Sequence, residues 1–138
     1  MFRRRKKGKV IWQEAKDVKK RIRIIIDQVE LPWIRKEKVF CYRSTNSSSR
    51  AFARIWSLPR IWQQALNIQP SYIIEVLSEK FDKLNDKEKQ KVLIHELAHI
   101  PRNFSGSLLP HIRRGKRNFR DRVEDLFGQY LRNKIYRN

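Results

Sequence analysis

Asn85-Asp86-Lys87-Glu88-Lys89-Gln90-Lys91-Val92-Leu93-Ile94-His95-Glu96-Leu97-Ala98-His99-Ile100-Pro101 is the stretch on which the reading of this chain turns. Asn85 followed three positions later by Glu88 is a capping-box start, and Asp86 suits the positive end of a helix. Lys87 to Ile100 contain no Gly or Pro, so a helix is predicted to run up to Pro101, which stops it. Four positions apart, His95 and His99 then share one face and can aim ring nitrogens at a single ion. Glu96 lies beside them. In an H-E-x-x-H arrangement the carboxylate does not bind the metal; it faces the water on a zinc ion and takes its proton as that water attacks a carbonyl. From this chain's own His and Glu content, a chance match has a probability of roughly a few in a thousand.

Two histidines leave a catalytic zinc one protein ligand short, because such sites use three protein groups and keep a fourth position for water. The remaining histidine is His111, beyond a segment, Arg102 to Pro110, whose Gly106, serines and Pro110 favour a turn back toward the helix. Its rivals as third ligand are Glu124 and Asp125 on the last predicted helix, where an unused carboxylate would instead suit hydrogen bonding to a ligand imidazole. With one Zn2+ per chain taken up by the three His, an oxyanion helper must come from elsewhere. The candidates are Tyr72, Tyr130, Arg102, Arg113 and Arg114.

The run His-Glu-Leu-Ala-His-Ile-Pro-Arg-Asn-Phe-Ser-Gly-Ser-Leu-Leu-Pro-His, His95 to His111, resembles the phage metallopeptidase family, small zincin-like proteins of viruses and archaea. That likeness extends over about Phe40 to Leu131. It implies a strand ahead of the zinc helix, assigned to Tyr72-Ile73-Ile74-Glu75-Val76, then the helix ending in Ile-Pro, a loop with Gly, and a third His. A more distant similarity is to the Spartan-like proteases, which cut proteins crosslinked to DNA; here the gap to the later His is shorter and no zinc-ribbon cysteines follow. The metzincin pattern fails, since the positions it needs as Gly and His hold Arg102 and Ser105.

The chain's 138 residues, 40% apolar with four Trp and seven Phe, suffice for one compact domain with a core. A single cysteine, Cys41, excludes an internal disulfide. No apolar segment follows the basic start as in a secretory signal, and none approaches a membrane span, so the expectation is a soluble, cytoplasmic protein without membrane contact. Thirty-three Lys and Arg against fourteen Asp and Glu give a formal charge of +19, an excess that attracts polyanions, DNA or RNA first among them. The contacts expected are in the basic arm, Arg3, Arg4, Arg5, Lys6, Lys7 and Lys9, and in the basic C-terminal third. Trp12, Trp33, Trp56 and Trp62 are too scattered along the chain to be read as base-stacking platforms.

Residues 1–10 have no periodicity and repel themselves, so they read as a disordered basic arm ahead of a domain spanning residues 11–138. Ile11, Ala15, Val18, Ile22, Ile25 and Val29 recur at helical steps, ending at Leu31-Pro32. Lys38–Arg43 and Ala51–Trp56 read as strands of a hairpin across a Ser-rich turn, Pro59–Leu66 as a short helix or an irregular crossing with Trp62 buried, and Ser71–Leu77 as a third strand. Phe119, Val123, Phe127 and Leu131 mark a closing helix. The fold class is therefore α+β: an N-terminal amphipathic helix, a sheet of about three strands, the H-E-x-x-H helix and a C-terminal helix, a minimal zincin-like domain. The functional reading is a zinc-dependent peptidase acting on a protein or peptide, including proteins associated with nucleic acid. The alternative is a basic nucleic-acid-binding protein whose zinc is structural, closed by a fourth donor such as Cys41, Glu124 or Asp125, and which cleaves nothing.

Overall fold

The computed structural model describes residues 8–111 and 119–137, with side chains as far as Lys134. Along the chain run β1 (Ile11–Glu14), α1 (Lys16–Gln28), β2 (Val39–Thr45), β3 (Ala53–Ser57), α2 (Arg60–Leu66), β4 (Tyr72–Leu77), α3 (Ser78–Phe81), α4 (Asp86–Leu97) and α5 (Phe119–Arg137). The architecture is α+β, a zincin-like arrangement of one four-stranded sheet in the order β1-β2-β4-β3 with α1, α4 and α5 packed together over it. β4 runs parallel to β2 and antiparallel to β3, while β1 runs antiparallel to β2.

Tyr72–Leu77 is the most continuously apolar strand, broken only by Glu75, and sits between β2 and β3. Its Tyr72, Ile74 and Val76 join Val39, Cys41 and Ala53 on the face toward the helices. Against them α1 buries Val18, Ile22, Ile25 and Ile26, and α5 buries Phe119, Val123, Leu126, Phe127 and Tyr130. Each buried aliphatic side chain stabilises the fold by about 1.5–3 kcal/mol.

Four sequence expectations are corrected. Ile11 does not begin the first helix: Ile11–Glu14 pairs with Tyr42–Thr45 as a fourth strand, and the Ala15 N–H continues the ladder to the Cys41 carbonyl before α1 starts. Ile11 is 52% exposed, so the step from Ile11 to Ala15 mimics a helical stripe that is not there. β2 and β3 do not form a hairpin, because β4, apolar but for Glu75, inserts between them and pairs with each. Trp62 on α2 is exposed, not buried. The fourth concerns α4, which ends at Leu97 rather than running to Ile100.

Pro101 disfavours helical geometry in the residue before it, and the chain tightens ahead of it. The Ala98 N–H still reaches Ile94 O, but the His99 and Ile100 N–H groups reach back only three residues, to Glu96 O and Leu97 O. At the other end the predicted start holds: the Glu88 N–H donates to Asn85 Oδ1 at 2.8 Å and the Asn85 N–H to Glu88 Oε1 at 3.1 Å. α4 is anchored on α1, α5 and β3, burying Leu93, Ile94 and Leu97 while carrying His95 and Glu96.

Candidate metal centre

His95 sits in the last turn of α4, and His99 in the tightened turn just past it. What returns the chain to them is the segment after Pro101. Phe104 adopts φ 47° and Gly106 φ 96°, the latter where a Cβ would lie 2.2 Å from Gln63 Nε2 and 2.4 Å from the Leu58 carbonyl, so only glycine fits. The Tyr72 hydroxyl accepts from the Gly106 N–H and donates to the Ser107 carbonyl, both at 2.9 Å, and the Phe104 ring packs edge-on against Tyr72. Leu109 then locks onto His99: its N–H donates to His99 O at 2.7 Å and its carbonyl meets His99 Nδ1 at 2.6 Å. Two residues later His111 arrives at the same place.

Three imidazoles converge there. His111 Nε2 lies 3.0 Å from His95 Nε2 and 3.1 Å from His99 Nε2. With zinc–nitrogen bonds of about 2.0–2.1 Å, two ligands of a tetrahedral ion sit roughly 3.3 Å apart, so the observed spacing is close to one edge of such a tetrahedron. The bond to Leu109 assigns the His99 proton to Nδ1 and leaves Nε2 as a bare lone pair aimed at the cluster. Burial pushes the His95 imidazole down to about 4, with His99 and His111 adding to the effect; burial also lowers His99, against the raising influence of Leu109. Both rings are therefore neutral at pH 7, the form that binds metals. Together the three His form a group able to hold a metal ion, and among the described residues no carboxylate or thiol joins it.

Glu96 is buried beside the cluster, and burial pushes its carboxyl up to about 8. It lines, with His95, a cleft of about 470 Å³ whose walls include Phe52, Ala53, Leu84, Val92 and Val123. A neighbouring cleft of about 420 Å³ contains His95, His111, Phe119 and Arg120. The two share Lys91, His95 and Val123, so one groove passes the cluster. β3 borders this groove through Ala53 and packs against α4.

The other expected site residues do not join the His cluster. Glu124 lines the second cleft alongside His95 and His111 but is exposed and paired with Lys91 at 2.7 Å, and Asp125 lines a separate cavity with Trp33, Arg102 and Arg122. Cys41 is buried in the core, its thiol pushed up to about 11 by burial. Of the oxyanion candidates, Tyr72 has both hydrogen-bonding roles of its hydroxyl engaged in the Gly106 loop, Tyr130 accepts from Gln90 Nε2 inside the core, and Arg102 stacks over Trp33. Arg113 and Arg114 fall outside the described residues, as do Arg3, Arg4, Arg5, Lys6 and Lys7; Lys9 is exposed ahead of β1.

Sequence reasoning missed Phe119, whose ring stacks on His99 with centroids 4.2 Å apart and contacts His95 and His111 edge-on. It had been placed only on an apolar stripe, and nothing in the stripe distinguishes a residue that walls the cluster. Arg120, next to it, and Lys91 are cations at this groove that the sequence did not single out.

A family model described as putative phage metallopeptidase matches residues 10–130. The chain belongs to that family. Membership in this metallopeptidase family implies a metal and a protein or peptide substrate, and the His cluster is a group in the matched region that fits a metal ion. No curated protein and no solved structure matches the chain. No described helix is long and apolar enough to cross a membrane.

Proposed function

We propose that this chain is a zinc-dependent peptidase of the H-E-x-x-H type in which His95, His99 and His111 hold one zinc ion and Glu96 is the general base, with residues 11–138 as the catalytic unit. The observation that carries the reading is the convergence of three imidazoles, with His111 Nε2 at coordination spacing from the Nε2 atoms of His95 and His99 and all three ligand atoms within 4.8 Å, beside a buried carboxylate in one groove. A structural zinc is closed by four protein donors; among the described residues this cluster offers three, which favours the catalytic type.

Held by His95, His99 and His111, a zinc ion would supply Lewis acidity toward a water and the scissile carbonyl. Glu96 takes the proton of the attacking water and passes it to the leaving amine. Burial alone holds Glu96 protonated at neutral pH, and a positive charge at the adjacent imidazoles acts in the opposite direction, restoring the carboxylate. Phe119 shields the rings from water on one side, and the Leu109 carbonyl fixes the His99 tautomer. In the β3–β4 ladder the Phe52 carbonyl bonds the Leu77 N–H, so by antiparallel alternation the Ala53 and Ile55 backbone groups point to the opposite edge. An extended peptide adding to that edge would cross the groove at Glu96, its side chain meeting the apolar wall of Phe52, Leu84, Val92 and Val123. Arg120 is the cation we assign to the developing oxyanion. The charge of +19 recommends substrates held near nucleic acid.

Metal analysis with proteolysis tests this. One zinc per chain is expected, reduced in His95→Ala, His99→Ala and His111→Ala, whereas Glu96→Gln retains the metal and stops cutting an unfolded protein. A Glu96→Gln variant as fast as the parent overturns the mechanism, and full zinc retention without His111 overturns the ligand set.

A further inference from the structure

The sheet face turned away from the helices carries a second constellation. Pairing registers place Trp12 opposite Ser44, Glu14 opposite Tyr42, Tyr42 beside Glu75, and Glu75 beside Arg54, with Phe40, Ile73 and Trp56 in the next row. Trp12 on one edge strand and Trp56 on the other are thus joined diagonally through Tyr42 and Ile73. They line a slot of about 430 Å³ floored by Glu75. Trp12 is 56% and Trp56 47% exposed, as large apolar surface that no described helix covers.

The Trp56 ring is fixed. Trp56 Nε1 donates to Glu75 Oε1 at 2.7 Å, and Arg54 clamps the same carboxylate through Nε at 2.9 Å and Nη2 at 3.2 Å while its guanidinium lies 4.9 Å from the Trp56 ring centroid. Glu75, only 1% exposed, serves to hold an arginine and an indole in place on an open surface. Burial pushes its carboxyl up, but the bonds from Arg54 and Trp56 outweigh that and leave it ionised.

We propose that this outer sheet face binds single-stranded nucleic acid, with Trp12, Tyr42 and Trp56 stacking successive bases and Arg54 as the cation fixed among them. Flat rings spaced across adjacent strands match bases unstacked along a strand, since every base has a π-face. The occupant must also suit a chain of net charge +19. A polyanion does, whereas a second copy would set +19 against +19. A lipid surface calls for rings that project into it, but Trp56 is tied by its N–H to the protein's own carboxylate. The face lies across the sheet from the His cluster, so a strand bound here leaves the groove open. The inference is independent of the peptidase reading.

The test titrates labelled thymidylate and uridylate oligomers of about twelve nucleotides into the full chain, following anisotropy and tryptophan quenching. Trp12→Ala and Trp56→Ala should each weaken binding of at least one oligomer about ten-fold, and the ring effect should persist as salt is raised. Trp62→Ala, on α2 outside the slot, should bind like the parent, and so should Trp12→Ala when the probe is a duplex of equal length. Should Trp56→Ala unfold for want of the Glu75 bond, Trp12→Ala carries the same expectation. Parent-like binding by Trp12→Ala overturns the proposal, as does an equal loss on duplex. So does a parent dimer that Trp12→Ala dissolves, or binding to anionic phosphatidylserine vesicles that depends on Trp12 while the oligomers do not bind.

Discussion

The two faces of the sheet are built from the same alternating strands and have opposite fates. Ile74 is buried beneath the helices, while its neighbour Ile73 is 39% exposed in the outer slot. Cys41 and Tyr42 divide in the same way on β2. On the inner face apolar area is converted into stability, and α4 is held firmly enough to present His95 and Glu96. The outer face leaves Trp12 and Trp56 about half exposed, and its polar anchor, Glu75, orients side chains instead of closing a core. Apolar content along a strand therefore does not say which face is core; what packs on it does.

The sharpest way to break this contrast is at the groove. Glu96→Gln should lower peptide hydrolysis by about 10²- to 10⁴-fold, while Trp12→Ala leaves it unchanged. Next comes folding: Ile74→Ala should cost about 2–5 kcal/mol and Ile73→Ala less than about 1 kcal/mol, read by chemical denaturation. Equal losses would mean that the outer face is covered too. The pH dependence of the metal-free protein gives a third measure. Because the folded-state carboxyl of Glu96 is raised from 4.5 to about 8, its contribution is fully present below pH 4.5 and is lost as pH rises through 8, by roughly 5 kcal/mol at most; Glu96→Gln should flatten that limb. Smaller again, Gly106→Ala should cost about 2 kcal/mol and, by shifting the Leu109 bonds to His99, weaken metal retention. A variant that melts early but keeps its metal would show that the loop does not position His111.

How legible all this was depended on whether the signal was local. The capping box at Asn85 and Glu88, the His95/Glu96 pair and the stripe of α5 were readable because each is satisfied within a few residues. β1 was not: Ile11-Trp12-Gln13-Glu14 is extended because it completes the edge of β2, a partner about thirty residues away, and its spacing to Ala15 imitated a helix. The hairpin misreading of β2 and β3 has the same origin, since adjacency in sequence is a weak guide once a more apolar strand can insert. The oxyanion candidates were chosen by residue type, and the structure shows the Tyr72 and Tyr130 hydroxyls already engaged.

By itself, then, the sequence determined the chemistry on offer: two imidazoles and a carboxylate on one helix end, a third imidazole past a glycine turn, and a strong positive charge. Tertiary structure alone decided that the His111 Nε2 meets the other two, that Phe119 walls them, and that Trp12 and Trp56, forty-four positions apart, share one slot. The reason is physical. Local signals report what a few residues can satisfy among themselves, whereas strand order and loop closure are settled by burying the whole apolar surface at once, and only that choice brings distant side chains together.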